Sequence, residues 1–225
     1  SLDPTQTLSL YGETQKEERA LSIRVERLAA ERGEREPVFS YEMLTEEPKL
    51  VAAERAQFRE RREVFQIETA LLEAQLAQRQ EEASQAKNSL SRAEHELELA
   101  KDEYEVIKDL VDRQLEARLA LINIDRERNV ALSEVNNARM EVIKSQAVLA
   151  EAKHRLAQAR SNYMSDVGSQ YAQSVGRLAE VRERMEGLRD RLNRTQMAAP
   201  VNAIVNVIHV RTEGGVIQPG EAILE

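Results

Sequence analysis

The chain has 225 residues, 32% of them charged and 4% aromatic, with no Trp and no Cys. So few bulky apolar groups cannot fill a broad core, whereas plentiful Ala and Leu can line a narrow helix seam. The net charge of −8, with acids and bases interleaved, argues against a nucleic-acid surface, and without Cys there is neither a disulfide framework nor a thiolate metal site or nucleophile.

Prolines fall only at 4, 37, 48, 200 and 219, so the long stretch from Lys49 to Ala199 permits uninterrupted helices. A first helix is expected over residues 5–33, with Leu21, Val25 and Leu28 on one stripe and Gly33 as its stop. Residues 34–48 read as a connector around Pro37, carrying Val38, Phe39 and Tyr41.

A second helix is expected over 49–111. Alternating steps of four and three from Phe58 to Val111 land on sixteen positions, of which thirteen are apolar; Arg62, Thr69 and Arg79 are the exceptions. A sustained 3.5-residue period is the mark of a left-handed coiled-coil seam, and Ala83, Ala86, Ala93 and Ala100 suit close helix approach. The phase breaks at Gln114 and Arg118, which places a helical hairpin tip over 112–118. A third helix over 119–197 carries the pattern from Leu121 to Leu192. It slips at Tyr163, Val167 and Tyr171, a stutter flanked by Gly168 and Gly176 that suggests a local bend or thin crossing. At 1.5 Å per residue this helix would span roughly 110–120 Å, and the first two laid end to end would match it.

The last segment changes period. Ile204, Val205, Val207, Ile208 and Val210 are strand-like, with turns at Pro200, at Gly214 and Gly215, and at Pro219 and Gly220. The expected fold class is mainly α: a long antiparallel coiled-coil hairpin of three helices inserted in a small, partial β module made of residues 1–4 and 198–225. The abrupt ends suggest a fragment of a longer protein.

These ends resemble the lipoyl/biotinyl-like module of HlyD-type periplasmic adaptors, the membrane fusion proteins of type I secretion. Ala199-Pro200-Val201, Ile204-Val205 and above all Gly214-Gly215-Val216-Ile217-Gln218-Pro219-Gly220-Glu221 carry the resemblance. Ala203 stands where the family commonly has Gly. Leu2-Asp3-Pro4-Thr5 resembles the exit from the module's first half. The resemblance implies a parent protein anchored in the Gram-negative inner membrane. Its hairpin would reach across the periplasm from an ABC transporter to a TolC-type outer-membrane channel, with copies assembled as a ring, commonly six-fold, around an exported protein substrate. It implies no enzyme activity and no cofactor. The competing readings are a drug-efflux adaptor and a generic scaffold coiled coil, the latter a parallel dimer without a hairpin. Of the efflux tip motif Arg-x3-Leu-x6-Ser only Leu110 matches, with Val106 and Ala117 at the other two places.

The tip residues Leu110, Val111, Leu115, Ala117 and Leu119 are the candidate contact with the outer channel. His95, His154 and His209 stand apart from one another and from ligand-spaced carboxylates, and no metal site is expected. Runs such as Glu54-Arg55, 59–63 and 182–184 read as solvated faces with i,i+4 pairs, or as subunit contacts in a ring. Arg62, Arg79 and Arg128 within the seam read as snorkelling side chains or as register keys. The tail 201–225 holds no Lys, which argues against a modifiable carrier module.

Overall fold

The computed structural model describes residues 4–195, 204–209, 222 and 225. Four helices follow one another: α1 (Pro4–Arg32), α2 (Tyr41–Glu46), α3 (Pro48–Asp112) and α4 (Arg118–Thr195). The protein is mainly helical, with α3 and α4 forming one long antiparallel hairpin within a single chain, which is not the parallel pairing of a scaffold dimer. It divides into two units, Ser1–Arg61 with Met164–Glu225, and Arg62–Tyr163.

In the second unit α3 and α4 meet along the 3.5-residue seam. The residues withdrawn from solvent on α3 are the heptad positions, from Arg62 and Phe65 through Ala83, Ala86, Ala93 and Leu97 to Tyr104 and Ile107. Ala93, Leu97 and Val135 form a small core against which Leu90, Ala131 and Ala138 pack. Cross-helix pairs fix the register: Arg160 to Glu73 at 2.6 Å and Arg139 to Glu94 at 3.2 Å. The Phe65 and Tyr163 rings stack with centroids 4.1 Å apart. Each step toward the tip on α3 is matched by an equal step back on α4.

Two of the seam Arg residues, Arg128 and Arg79, have defined partners. Arg128 lies over the Tyr104 ring at 4.2 Å and pairs with Asp125 at 2.6 Å. Arg79 pairs with Glu82 at 2.7 Å, and this hydrogen bond, followed by that from Gln78, holds the half-exposed Glu82 carboxyl below its ordinary value. Thr69, the uncharged exception, turns its hydroxyl back to the Phe65 carbonyl at 2.8 Å.

In the first unit three helices pack side by side: α1, the first turns of α3 and the last turns of α4. Gly33 is not the left-handed residue that ends α1. Glu34 is, at φ 52°; Arg35 N–H donates to Ala30 at 3.0 Å and Glu34 N–H to Glu31 at 3.2 Å, a Schellman closure. The connector then runs back along α1, so that Arg19 pairs with Glu46 at 2.7 Å. It also contains a helix that the sequence reading lacks. Ser40 caps α2 by accepting the Met43 N–H at 3.3 Å. Pro48 stands in the first turn of α3, where its missing N–H costs nothing. Ile23, Phe39 and Val51 form the local core, with Met43 packed on it.

Two sequence expectations are corrected here. The most buried face of α1 is Ile23, Arg27, Leu28, Ala30 and Glu31, with Leu21 and Val25 only half-buried, because α1 packs against α3 and α4 together. Gly168 and Gly176 mark no thin crossing, since a Cβ on either would meet nothing within 4 Å.

The strand reading of 204–210 is not met among the described residues. Residues 204–207 form no strand; Ile208 is an isolated bridge residue, and Asn206 and Val207 exchange backbone hydrogen bonds with Glu225 at 2.7–3.1 Å. Pro200, Gly214, Gly215, Pro219 and Gly220 lie outside the described residues, as do residues 1–3.

Candidate functional site

The turn between α3 and α4 is closed chiefly by backbone hydrogen bonds, with one from the Glu116 side chain. α3 ends in a second Schellman closure: Leu115 N–H donates to Leu110 at 2.8 Å and Gln114 N–H to Val111 at 3.0 Å, with Gln114 left-handed at φ 59°. The Ala117 N–H then finds the Glu116 carboxylate at 3.1 Å, and Ala120 N–H the Ala117 carbonyl at 2.9 Å as α4 begins.

This geometry sorts the five tip residues. Leu110 and Val111 are half-buried, their carbonyls occupied in the closure. Leu115, Ala117 and Leu119 are exposed, Leu115 by 69% and Leu119 by 66%. Val106 and Ile122 are exposed within two turns of them. A shallow depression of about 360 Å³ lies just below, lined by Val106, Ile107 and Ile124 and bordered by Asp102 and Glu103. Aliphatic side chains held in water on a short, hydrogen-bonded turn offer a partner apolar area at low ordering cost.

At the other end of α3 lies a site that sequence reading missed. Arg27 on α1 pairs with Glu31 at 2.7 Å and with Glu54 on α3, and Arg24 reaches the same Glu54 at 3.5 Å. Arg61 on α3 pairs with Glu31 at 2.7 Å and with Asp166 on α4 at 2.7 Å, and Gln170 donates to Asp166 at 2.9 Å. Three cations and three carboxylates thus form a neutral chain tying three helices. Burial alone would lower the pKa of Arg61. Its hydrogen bonds to Asp166 and Glu31 outweigh that and hold it above the ordinary guanidinium value. The same hydrogen bond, with that from Gln170, holds the Asp166 carboxyl below its usual range. Glu54 and Arg61 are therefore not part of solvated faces, because α1 covers them.

Around this network, Arg177 pairs with Glu17 at 2.9 Å and Arg182 with Glu18 at 2.9 Å. Its hydrogen bond to Glu17, followed by that to Glu180, raises the Arg177 pKa. His95 and His154 are exposed, and His209 meets the Glu225 carboxylate at 3.1 Å, a partner brought close by the backbone exchange and not visible in the sequence. Among the described residues no group of His and acidic side chains could hold a metal ion, and no helix is long and apolar enough to cross a membrane.

Comparison with known proteins gives one consistent result. A family model described as AprE, long alpha-helical hairpin, matches residues 8–191. The alkaline protease secretion protein AprE of Pseudomonas aeruginosa is 31% identical over 119 residues, 52% of this chain and 27% of that protein. The chain thus spans about a quarter of that relative's length. The soluble domain of LipC, a membrane fusion protein of a type I secretion system, superposes with a TM-score of 0.84 at 20% identity, covering 99% of this chain and 86% of that one. The periplasmic adaptor protein EmrA superposes with a TM-score of 0.61 at 15% identity, over 99% of this chain and 60% of its own. At those identities the two structures speak for the fold.

Proposed function

We propose, from the premise that this chain belongs to the AprE family of long α-helical hairpins, that it is the helical part of a periplasmic adaptor for type I protein secretion. In this reading the parent protein sits on the periplasmic side of the Gram-negative inner membrane. It links an ABC transporter to a TolC-type outer-membrane channel and passes an exported protein substrate through a ring of copies. Its role is mechanical, with no catalysis and no cofactor. The names of AprE and LipC favour secretion over drug efflux, and the single match to the efflux tip motif, Leu110, agrees.

The observation that carries the reading is the hairpin turn itself, where Leu115 and Leu119 stand in water on a backbone closed by its own hydrogen bonds. A partial lipoyl-like module at the base is the accompanying proposal. Its support is the Gly214–Glu221 run in the sequence and the pairing of Val207 with Glu225.

The test replaces Leu115 or Leu119 with Asp in the full-length protein. Both side chains are exposed, so circular dichroism of the variants should be unchanged, while secretion of the cognate substrate falls at least tenfold. Normal secretion by both variants would remove the turn from the mechanism.

A further inference from the structure

Charge is not spread evenly over the hairpin of the second unit. On α3 the face turned away from α4 carries Val64, Ile67, Leu71 and Ala74, spaced by three, four and three residues. The first three are exposed by 61, 64 and 60%. On the opposite side of the same turns, Phe65, Thr69, Leu72 and Leu76 lie half-buried in the seam. A helix that is apolar on two opposite faces is built to pack between two neighbours, and α4 supplies only one of them.

The outer face of α4 has a matching character. Met140, Ile143, Ala147, Ala150, Ala157 and Ser161 follow the same alternation and are all exposed, with His154 filling the remaining place. The Glu73–Arg160 pair sets the relative height of the two helices. Leu71 and Ala74 are therefore level with Ser161 and Ala157, large aliphatics on one side of the hairpin and small residues on the other.

We propose that these two faces are the two halves of a head-to-tail contact between copies of this chain, the α3 face of one copy seated on the α4 face of the next. Both faces are uncharged in a chain that is 32% charged, so an ionic partner gains no hold on either. Where the two faces overlap in height, at Leu71 and Ala74 against Ser161 and Ala157, long side chains meet small ones, so these segments meet when copies stand side by side without an axial shift. Because the faces lie on opposite sides of the hairpin, each contact leaves one face of each kind free, and association propagates or closes into a ring instead of stopping at a pair. This inference rests on the ring in the proposed function and names its contact. It assigns that contact to the apolar faces and not to the Glu/Arg runs, where Arg61 and Arg182 already have partners within the chain.

The absence of Cys makes the test direct. In the full-length protein in its membrane, Leu71→Cys and Ser161→Cys are combined and oxidised. Within one copy the two thiols sit on opposite outer faces, beyond disulfide reach. The expected result is a ladder of covalent dimers, trimers and higher species from the double variant and none from either single one. Adding Ile67→Asp should reduce the ladder at least tenfold. Dimers from Leu71→Cys alone would overturn the head-to-tail arrangement. A ladder from charged positions at matching height (Glu81→Cys with Lys153→Cys) but not from the apolar pair would overturn the choice of faces and keep the ring. With no ladder from either pair, but secretion still sensitive to Leu115→Asp, the side-by-side contact falls and the adaptor role stands.

Discussion

Arg27 and Glu31, one turn apart on α1, form an ion pair at 2.7 Å with both side chains only 1% exposed. Neither ion could stay there alone. Arg27 is also held by Glu54, and Glu31 by Arg61, so each charge is answered twice. Removing one partner from a buried pair leaves an uncompensated charge, which costs about 3–5 kcal/mol. Arg27→Ala should therefore lower stability by that amount in urea unfolding followed by circular dichroism. Arg177→Ala, which breaks only exposed pairs, should leave the midpoint within error. Equal effects of the two would show that the network contributes no more than surface pairing.

Asp166 gives the network a pH dependence with a definite sign. Its carboxyl is held below the usual range by Arg61 and then Gln170. Between the depressed folded value and the ordinary one, near 3.9, the unfolded chain binds more protons than the folded one, so stability rises with pH in that window. The contribution is complete above about pH 5 and is lost as pH falls through the folded value. Asp166 is half exposed, so solvent screening keeps the effect small. Melting temperatures of the parent and Asp166→Asn should run parallel above about pH 5 and converge toward lower pH. A gap that persists unchanged into acid would assign the effect to hydrogen bonding alone.

How much of this was readable in advance follows from which elements obey a single period. The seam from Phe58 to Val111 could be read because one helix faces one partner there, and a 3.5-residue repeat is all that such packing demands. α1 obeys no single period, since it packs on α3 and α4 at once; its buried face includes Arg27 and Glu31, which in a chain rich in Glu and Arg look like solvent-facing residues. The contact from Arg61 to Asp166 joins residues far apart in sequence, and no local pattern reports it. α2 did leave a signal, Ser40 followed by Glu42 in the first turn, but a six-residue helix is too short to show periodicity. At the hairpin turn the phase break located the bend, while its mechanism, a left-handed Gln114, has no compositional mark.

That Gln114 supports a third prediction, shared with Glu34. Both are non-glycine residues in the left-handed region, at φ 59° and 52°, closing equivalent Schellman turns. A Cβ in that conformation costs on the order of 1 kcal/mol, which glycine avoids. Gln114→Gly and Glu34→Gly should each raise stability by up to about 1 kcal/mol, less the extra entropy of the unfolded glycine. Gln114→Val should destabilise by at least as much, because β-branching suits the left-handed region poorly. Thermal melts of the three variants check the order. Destabilisation by both glycine substitutions would mean that side-chain contacts of Gln114 and Glu34 outweigh their backbone strain.

The glycines of α4 call for the opposite substitution. Gly168 and Gly176 sit inside a continuous helix, beside the slip of the heptad at Tyr163, Val167 and Tyr171. The slip has its own physical cause. Val167 is fully buried, and Tyr171 lies under Arg32 of α1 at 5.7 Å, so this stretch of α4 must face α1 as well as α3. A step of four and four turns the apolar stripe toward the added neighbour. No glycine is needed for that, and an added Cβ at either position meets nothing within 4 Å. Glycine in a helix interior costs about 0.8–1.0 kcal/mol relative to alanine. Gly168→Ala and Gly176→Ala should each stabilise the protein by about that much, and nearly additively, with the stacking of Phe65 on Tyr163 undisturbed. If either alanine lowered the melting temperature, the glycine would be serving a bend or a close approach, and the stutter would need that glycine after all.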